Sequence, residues 1–194
     1  MNMDGTMSTL MIVLVALVAA AVVAVIVSRN RARQRSAGLR EHFGPEYERA
    51  LEQHGSRTRA EKDLALREQR VRKLELQLLR PEQCEHFGAA WANVQQRFVD
   101  DPRAAVVDAD RLVKEVMGAR GYPMGNFDQR VADLSVEHAH VLDHYRAARS
   151  IALANGEGRA STEDLRQGMV HYRALFTDLL QARQPYAPMH EARV

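Results

Sequence analysis

The chain has 194 residues, with 27 basic and 25 acidic side chains, a formal net charge of +2, and 46% hydrophobic but only 6% aromatic residues. Such a length allows one modest folded domain of ~100–200 residues plus an appendage. Cys84 is the only cysteine, which excludes an intramolecular disulfide and any CxxC-type zinc framework.

After a short N-terminal segment, residues 1–9, the stretch Leu10 to Val27 reads LMIVLVALVAAAVVAVIV, with no charged or polar side chain. As a helix rising ~1.5 Å per residue it spans ~27 Å, close to the hydrocarbon thickness of a bilayer, and it is expected to be a single transmembrane helix. A cleaved signal peptide, leaving a secreted domain, is the alternative; it calls for a basic segment before the apolar run, whereas here Asp4 precedes it and the arginines follow.

Those arginines, Arg29, Arg31, Arg33, Arg35 and Arg40, form a juxtamembrane collar over residues 28–40. Basic residues stay on the cytoplasmic side, so the collar orients the N-terminus outward and the rest of the chain into the cytoplasm. It also makes anionic lipid headgroups a partner. Setting aside the collar and Asp4 leaves 22 basic against 24 acidic residues past position 40. Nucleic-acid binding is not expected of so balanced a domain.

Residues 41–80 predict charged stalk helices. FGPEYERALEQHG places Pro45 at a first helical turn and Gly55 at a stop, and RTRAEKDLALREQRVRKLELQLLR carries Leu64, Val71, Leu74 and Leu78 on one coiled-coil-like stripe. Self-association through this stalk and packing against the chain's own domain are both open.

From 82 to 183 the spacing predicts a four-helix antiparallel bundle. Phe87, Trp91, Val94 and Phe98 form the first inward stripe. Asp101 and Pro102 start a second helix that buries Val106, Ala109, Val113, Val116 and Met117 and stops at Gly121. GYPMGNF is a turn-rich connection, with Tyr122 and Phe127 plugging the end of the bundle. Ser135 is expected to cap a third helix running to Asn155 and Gly156. Ser161 or Thr162 caps a fourth that buries Leu165, Met169, Tyr172, Leu175, Phe176 and Leu179. Residues 184–194 read as a flexible tail. The whole is expected to be all-α, as no segment alternates with period two.

The run RFVDDPRAAVVDADRLVKEVMGARGYP, followed by FDQRVADLSVEH, HYRAARSIA and STEDLRQGMVHYRALF, resembles an uncharacterised bacterial family of membrane-anchored helical proteins with no established activity. The resemblance covers residues 39–181 and implies a bacterial, stand-alone helical module, without catalytic residues to carry over.

One stretch invites a chemical reading. In SVEHAHVLDHYR, a continuous helix would bring Glu137, His140 and His144 within about 60° of one another, at the flank of the buried face. A di-iron site needs a second Glu-x-x-His, which the chain lacks. A mononuclear metal site from these three, with His171 as a further ligand, remains as a candidate. The competing interpretation is an ordinary helix whose histidines are solvated. No phosphate loop, HExxH or GxSxG is present. The expectation is a non-enzymatic adaptor without a cofactor, binding an unknown protein or itself through a patch at Tyr122 and Phe127. A metal- or small-ligand sensor using residues 137–144 is the alternative.

Overall fold

The computed structural model describes residues 3–181, and within them not the side chains of residues 3–13, 15, 16 and 18. The expected tail, 184–194, lies outside the described residues. The described chain is all-helical, with no strand, and divides into two compact units, residues 1–42 and 43–194.

The first unit is one helix, α1, Met3–Phe43, of 41 residues. Its described apolar side chains up to Val27 face outward on every side, Leu14, Leu17, Val22, Val23, Val25, Ile26 and Val27 being all more than 40% exposed, whereas Leu39 and Phe43 near its end are buried. A helix apolar all round carries no polar stripe to turn toward water. Helix continues without a break through the collar, where Arg29, Arg31, Arg33, Arg35 and Arg40 are exposed. Among the described residues no helix is long and apolar enough to cross a membrane. The stretch 10–27 expected to do so includes seven residues whose side chains lie outside the description.

The second unit begins at Phe43, the last residue of α1, and the chain then turns at Gly44, whose φ of 48° is a conformation open to glycine. It comprises α2 (Pro45–His54), α3 (Arg57–Val71), α4 (Pro81–Asp100), α5 (Pro102–Ala119), α6 (Phe127–Leu134), a 3-10 turn (Ala139–Val141), α7 (Leu142–Gly156) and α8 (Thr162–Gln181). Pro81 and Pro102 stand at first helical positions, where the missing N–H has no intrahelical partner to lose. Asp101 caps α5 by accepting from the Ala104 N–H. Ser161 and Asp164 cap α8 reciprocally, each side chain reaching the other's backbone N–H.

Helices α4, α5, α7 and α8 enclose one apolar core, in which Trp91 stacks on Phe176 at a centroid distance of 4.8 Å. Every inward residue expected on α5 and α8 is buried, as are Phe87, Trp91 and Val94 on α4.

Two helix boundaries differ from the sequence expectation. The helix expected through residues 57–80 ends at Val71, and the chain then turns at residues 72–74 and runs without regular secondary structure to Arg80. On this path Leu76 and Leu79 pack against the core, and the Gln77 N–H donates to the Arg120 carbonyl at 3.0 Å. A continued helix would instead present the Leu74 and Leu78 stripe, of which Leu78 is 44% exposed. Burial of two leucines thus outweighs helix propensity, a weak preference of well under 1 kcal/mol per residue. Residues 43–80 are accordingly part of the bundle's unit, and of the two arrangements left open for the stalk, packing against its own domain is the one observed.

This segment explains Gly121. Its φ is +91°, and a Cβ there would stand 2.7 Å from the Glu75 carbonyl oxygen. Gly121→Ala is therefore expected to lower stability by about 2 kcal/mol or more, from left-handed strain together with that overlap. A drop in the denaturation midpoint followed through Trp91 fluorescence would show it; an unchanged midpoint would mean that residues 75–77 do not hold this path.

Candidate functional site

The second boundary change lies in SVEHAHVLDHYR. Instead of a helix from Ser135, α6 ends at Leu134, residues 135–138 turn, and α7 starts only at Leu142. Ser135 closes α6 rather than capping α7, its hydroxyl donating to the Ala132 carbonyl at 2.7 Å. The break lets Val136 and His138 point inward, 3% and 2% exposed. It also removes the common helical face that was to unite Glu137, His140 and His144.

Those three residues go to different partners. Glu137 accepts a hydrogen bond from the Tyr122 hydroxyl at 2.9 Å. His140 Nε2 meets Asp178 Oδ1 at 2.7 Å, and His144 Nδ1 meets His171 Nδ1 at 2.9 Å. Among the described residues no group of three or more His, Cys, Asp or Glu side chains could hold a metal ion. The expected trio is not assembled.

What the turn builds is a polar chain entering the bundle. Arg120, at the end of α5, is fully buried, and its Nη1 lies 3.0 Å from His138 Nε2. A guanidinium only donates, so Nε2 of His138 must be the accepting nitrogen. The proton of the neutral ring then sits on Nδ1, which donates to Asp178 Oδ2. Asp178 thus receives His138 through one oxygen and the exposed His140 through the other. Nη2 of Arg120 lies 3.7 Å from the Glu137 carboxylate, and the guanidinium carbon stands 5.7 Å from the Tyr122 ring centroid. Arg120 Nε and Nη2 have no hydrogen-bond partner. The network therefore fixes the α5 end, the 135–141 turn and α8 relative to one another while leaving two donors unsatisfied.

Burial pushes the Asp178 carboxyl upward, but the hydrogen bonds from His138 and His140 outweigh it and hold the group below the usual carboxylate range. Burial and the neighbouring His144 push the His171 imidazole downward. Burial, with Glu137 adding to it, pushes the Tyr122 hydroxyl well up, so it is a hydrogen-bond donor at any physiological pH.

A depressed folded pKa means that the unfolded state binds protons first as the solution is acidified. The His171 contribution is complete above about pH 6.5, the unfolded value, and is lost below it; the Asp178 contribution is complete above about pH 4 and is lost lower still. The melting temperature is therefore expected to fall from pH 7.5 to 5.5, and His171→Gln to reduce that fall. Equal falls in the native chain and the variant would remove His171 from the account.

Tyr122, expected on an exposed interaction patch, is 4% exposed and part of the core. Phe127 is partly buried, with its ring 5.0 Å from that of Tyr145 and Arg149 over its face. Tyr122 is thus withdrawn from any surface patch, while Phe127 keeps part of its ring accessible. A shallow cavity of about 140 Å³ opens between the end of α3 and the turn, lined by Glu68, Val71, Leu76, Val136 and Glu137 among others.

Arg120 and Asp178 were not singled out from the sequence. An arginine beside a helix-stopping glycine and an aspartate on an amphipathic helix look like solvated charges; only the tertiary fold shows them facing each other across His138.

Compared with protein-family profiles, curated proteins and solved structures, the chain matches none. The geometry therefore stands by itself and defines an all-α protein in which a buried arginine and histidine meet the half-buried Asp178.

Proposed function

We propose that the chain is a non-enzymatic, single-pass membrane protein of the bacterial inner membrane. Its N-terminus is outside, and its helical unit binds another protein, or itself, in the cytoplasm. The observation that carries this reading is α1, with apolar side chains exposed on every side up to Val27 and exposed arginines from Arg29 onward. That pairing of an all-round apolar helix with a basic flank suits hydrocarbon and headgroup in turn. The collar adds attraction to anionic lipid of up to ~1 kcal/mol per arginine near the surface. A near-neutral balance beyond position 40, with 22 basic and 24 acidic residues, favours a protein partner over nucleic acid. In the second unit Val99, 83% exposed, and Val107, 57% exposed, are apolar side chains available to such a partner.

The test is copurification from native membranes in mild detergent. The full chain is compared with Val22→Arg/Val25→Arg, which interrupts the apolar run and leaves residues 43–194 unaltered. A stoichiometric protein partner, or a stable oligomer, retained by both is expected. A full chain recovered alone and monomeric would overturn the interaction reading.

A further inference from the structure

The imidazoles of His144 on α7 and His171 on α8 meet nitrogen to nitrogen at 2.9 Å, across the most extensively packed helix pair in the unit. Neither ring forms part of the Arg120–His138–Asp178 network. Both are half-buried, so each has one side toward the helix interface and another toward solvent. We propose that this pair is a two-histidine clasp for a late first-row divalent metal ion, with Cu²⁺ preferred over Zn²⁺ and with water completing the coordination.

Two features support that assignment. Convergence comes first: two Nδ1 atoms supplied by separate helices are already brought together by backbone packing, so little chain entropy remains to be lost when an ion joins them. Spacing comes second. Two nitrogens 2.9 Å apart, each about 2.0–2.1 Å from one ion, subtend about 90° at it. That is the cis angle of the tetragonal geometry favoured by Cu²⁺, whereas a tetrahedral Zn²⁺ site asks for a wider separation.

In the ion-free state the ring centroids are 5.2 Å apart, and the rings meet nearly head-on as an N–H···N bond requires. One Nδ1 therefore carries a proton, which passes to solvent when the ion binds. Each ring must also turn to aim its lone pair at the common apex. The final side-chain torsion of histidine is broad enough to allow this.

The test titrates the purified full chain in detergent with Cu²⁺, and separately with Zn²⁺, by calorimetry. Paramagnetic broadening of the histidine ring protons by substoichiometric Cu²⁺ is recorded in the native chain. One equivalent is expected to bind, with Cu²⁺ tighter than Zn²⁺, and the His144 and His171 signals are expected to broaden first. His144→Ala and His171→Ala should each weaken Cu²⁺ binding at least tenfold, and His140→Ala should leave it unchanged. The broadening experiment needs no variant, so the proposal remains testable if a substitution disturbs the fold. Binding that is absent in the native chain, insensitive to both substitutions, or first seen at other histidines would overturn it.

Discussion

Arg120→Ala is expected to destabilise the second unit by about 3–5 kcal/mol, enough to leave a marginally stable domain largely unfolded at 37 °C. The side chain is fully buried, and its removal takes away three things together. His138 Nε2 loses its donor, the Tyr122 ring loses the cation beside it, and Glu137 loses a buried positive charge. A hole the size of a large side chain is left as well. The cause can be separated by a double-mutant cycle. Arg120→Met restores much of the volume but leaves the Glu137 charge, whereas Arg120→Met with Glu137→Gln removes both charges. The double variant should be more stable than Arg120→Met alone, because replacing a buried ion pair entirely costs less than stranding one partner. If the two substitutions were simply additive, the charge pairing would not be what holds Arg120 in place.

The second large effect is expected at Glu46. Arg146 on α7 donates to it through both terminal nitrogens, at 2.6 and 2.7 Å, and the Glu46 side chain is only 2% exposed. This fork is the main polar link between α2 and the bundle. Arg49 adds an exposed contact with Asp143 at 2.5 Å, and Arg70 on α3 reaches the buried Asp133 at 2.7 Å. Glu46→Ala leaves the Arg146 guanidinium, 24% exposed, without its bidentate acceptor, and about 3 kcal/mol should be lost. Glu46→Gln should lose less, since one oxygen still accepts. The loss should be local. Hydrogen exchange is expected to rise across α2 and α3 before it rises in α8, whose face is held by the apolar core. Uniform acceleration across the unit would show that α2 and α3 do not open separately.

These two residues also mark where the sequence was and was not legible. Helix faces were readable wherever apolar spacing was dense. The stripes of α5 and α8 could be placed residue by residue because burial of a whole face leaves a 3.6-residue period behind it. Asp101 with Pro102, and the Ser161–Thr162 pair, carried their starts in plain residue chemistry. Where the reading failed, the deciding term was tertiary. Nothing within RKLELQLLR signals that residues 72–80 leave the helix; Leu76 and Leu79 do so to reach the core. Ser135 carried a capping signal that was assigned to the wrong helix, and no Gly or Pro marks the 135–138 turn. That single break redirected the chemistry. Glu137, His140 and His144 had looked like one site because a continuous helix was assumed. The actual network runs through His138, which that helix would have pointed elsewhere, and through Arg120 and Asp178, whose meeting depends on three separate segments.

The most direct measurement of the account is the accessibility of Cys84, the only cysteine, which lies on α4 and is half-buried. Intact cells and permeabilised cells are treated with a membrane-impermeant maleimide, and the chain is then recovered from membranes washed at alkaline pH. The account predicts that the chain stays with the washed membranes and that Cys84 is labelled only after permeabilisation. Release by the wash, or labelling of Cys84 in intact cells, would contradict an anchored protein with its helical unit inside.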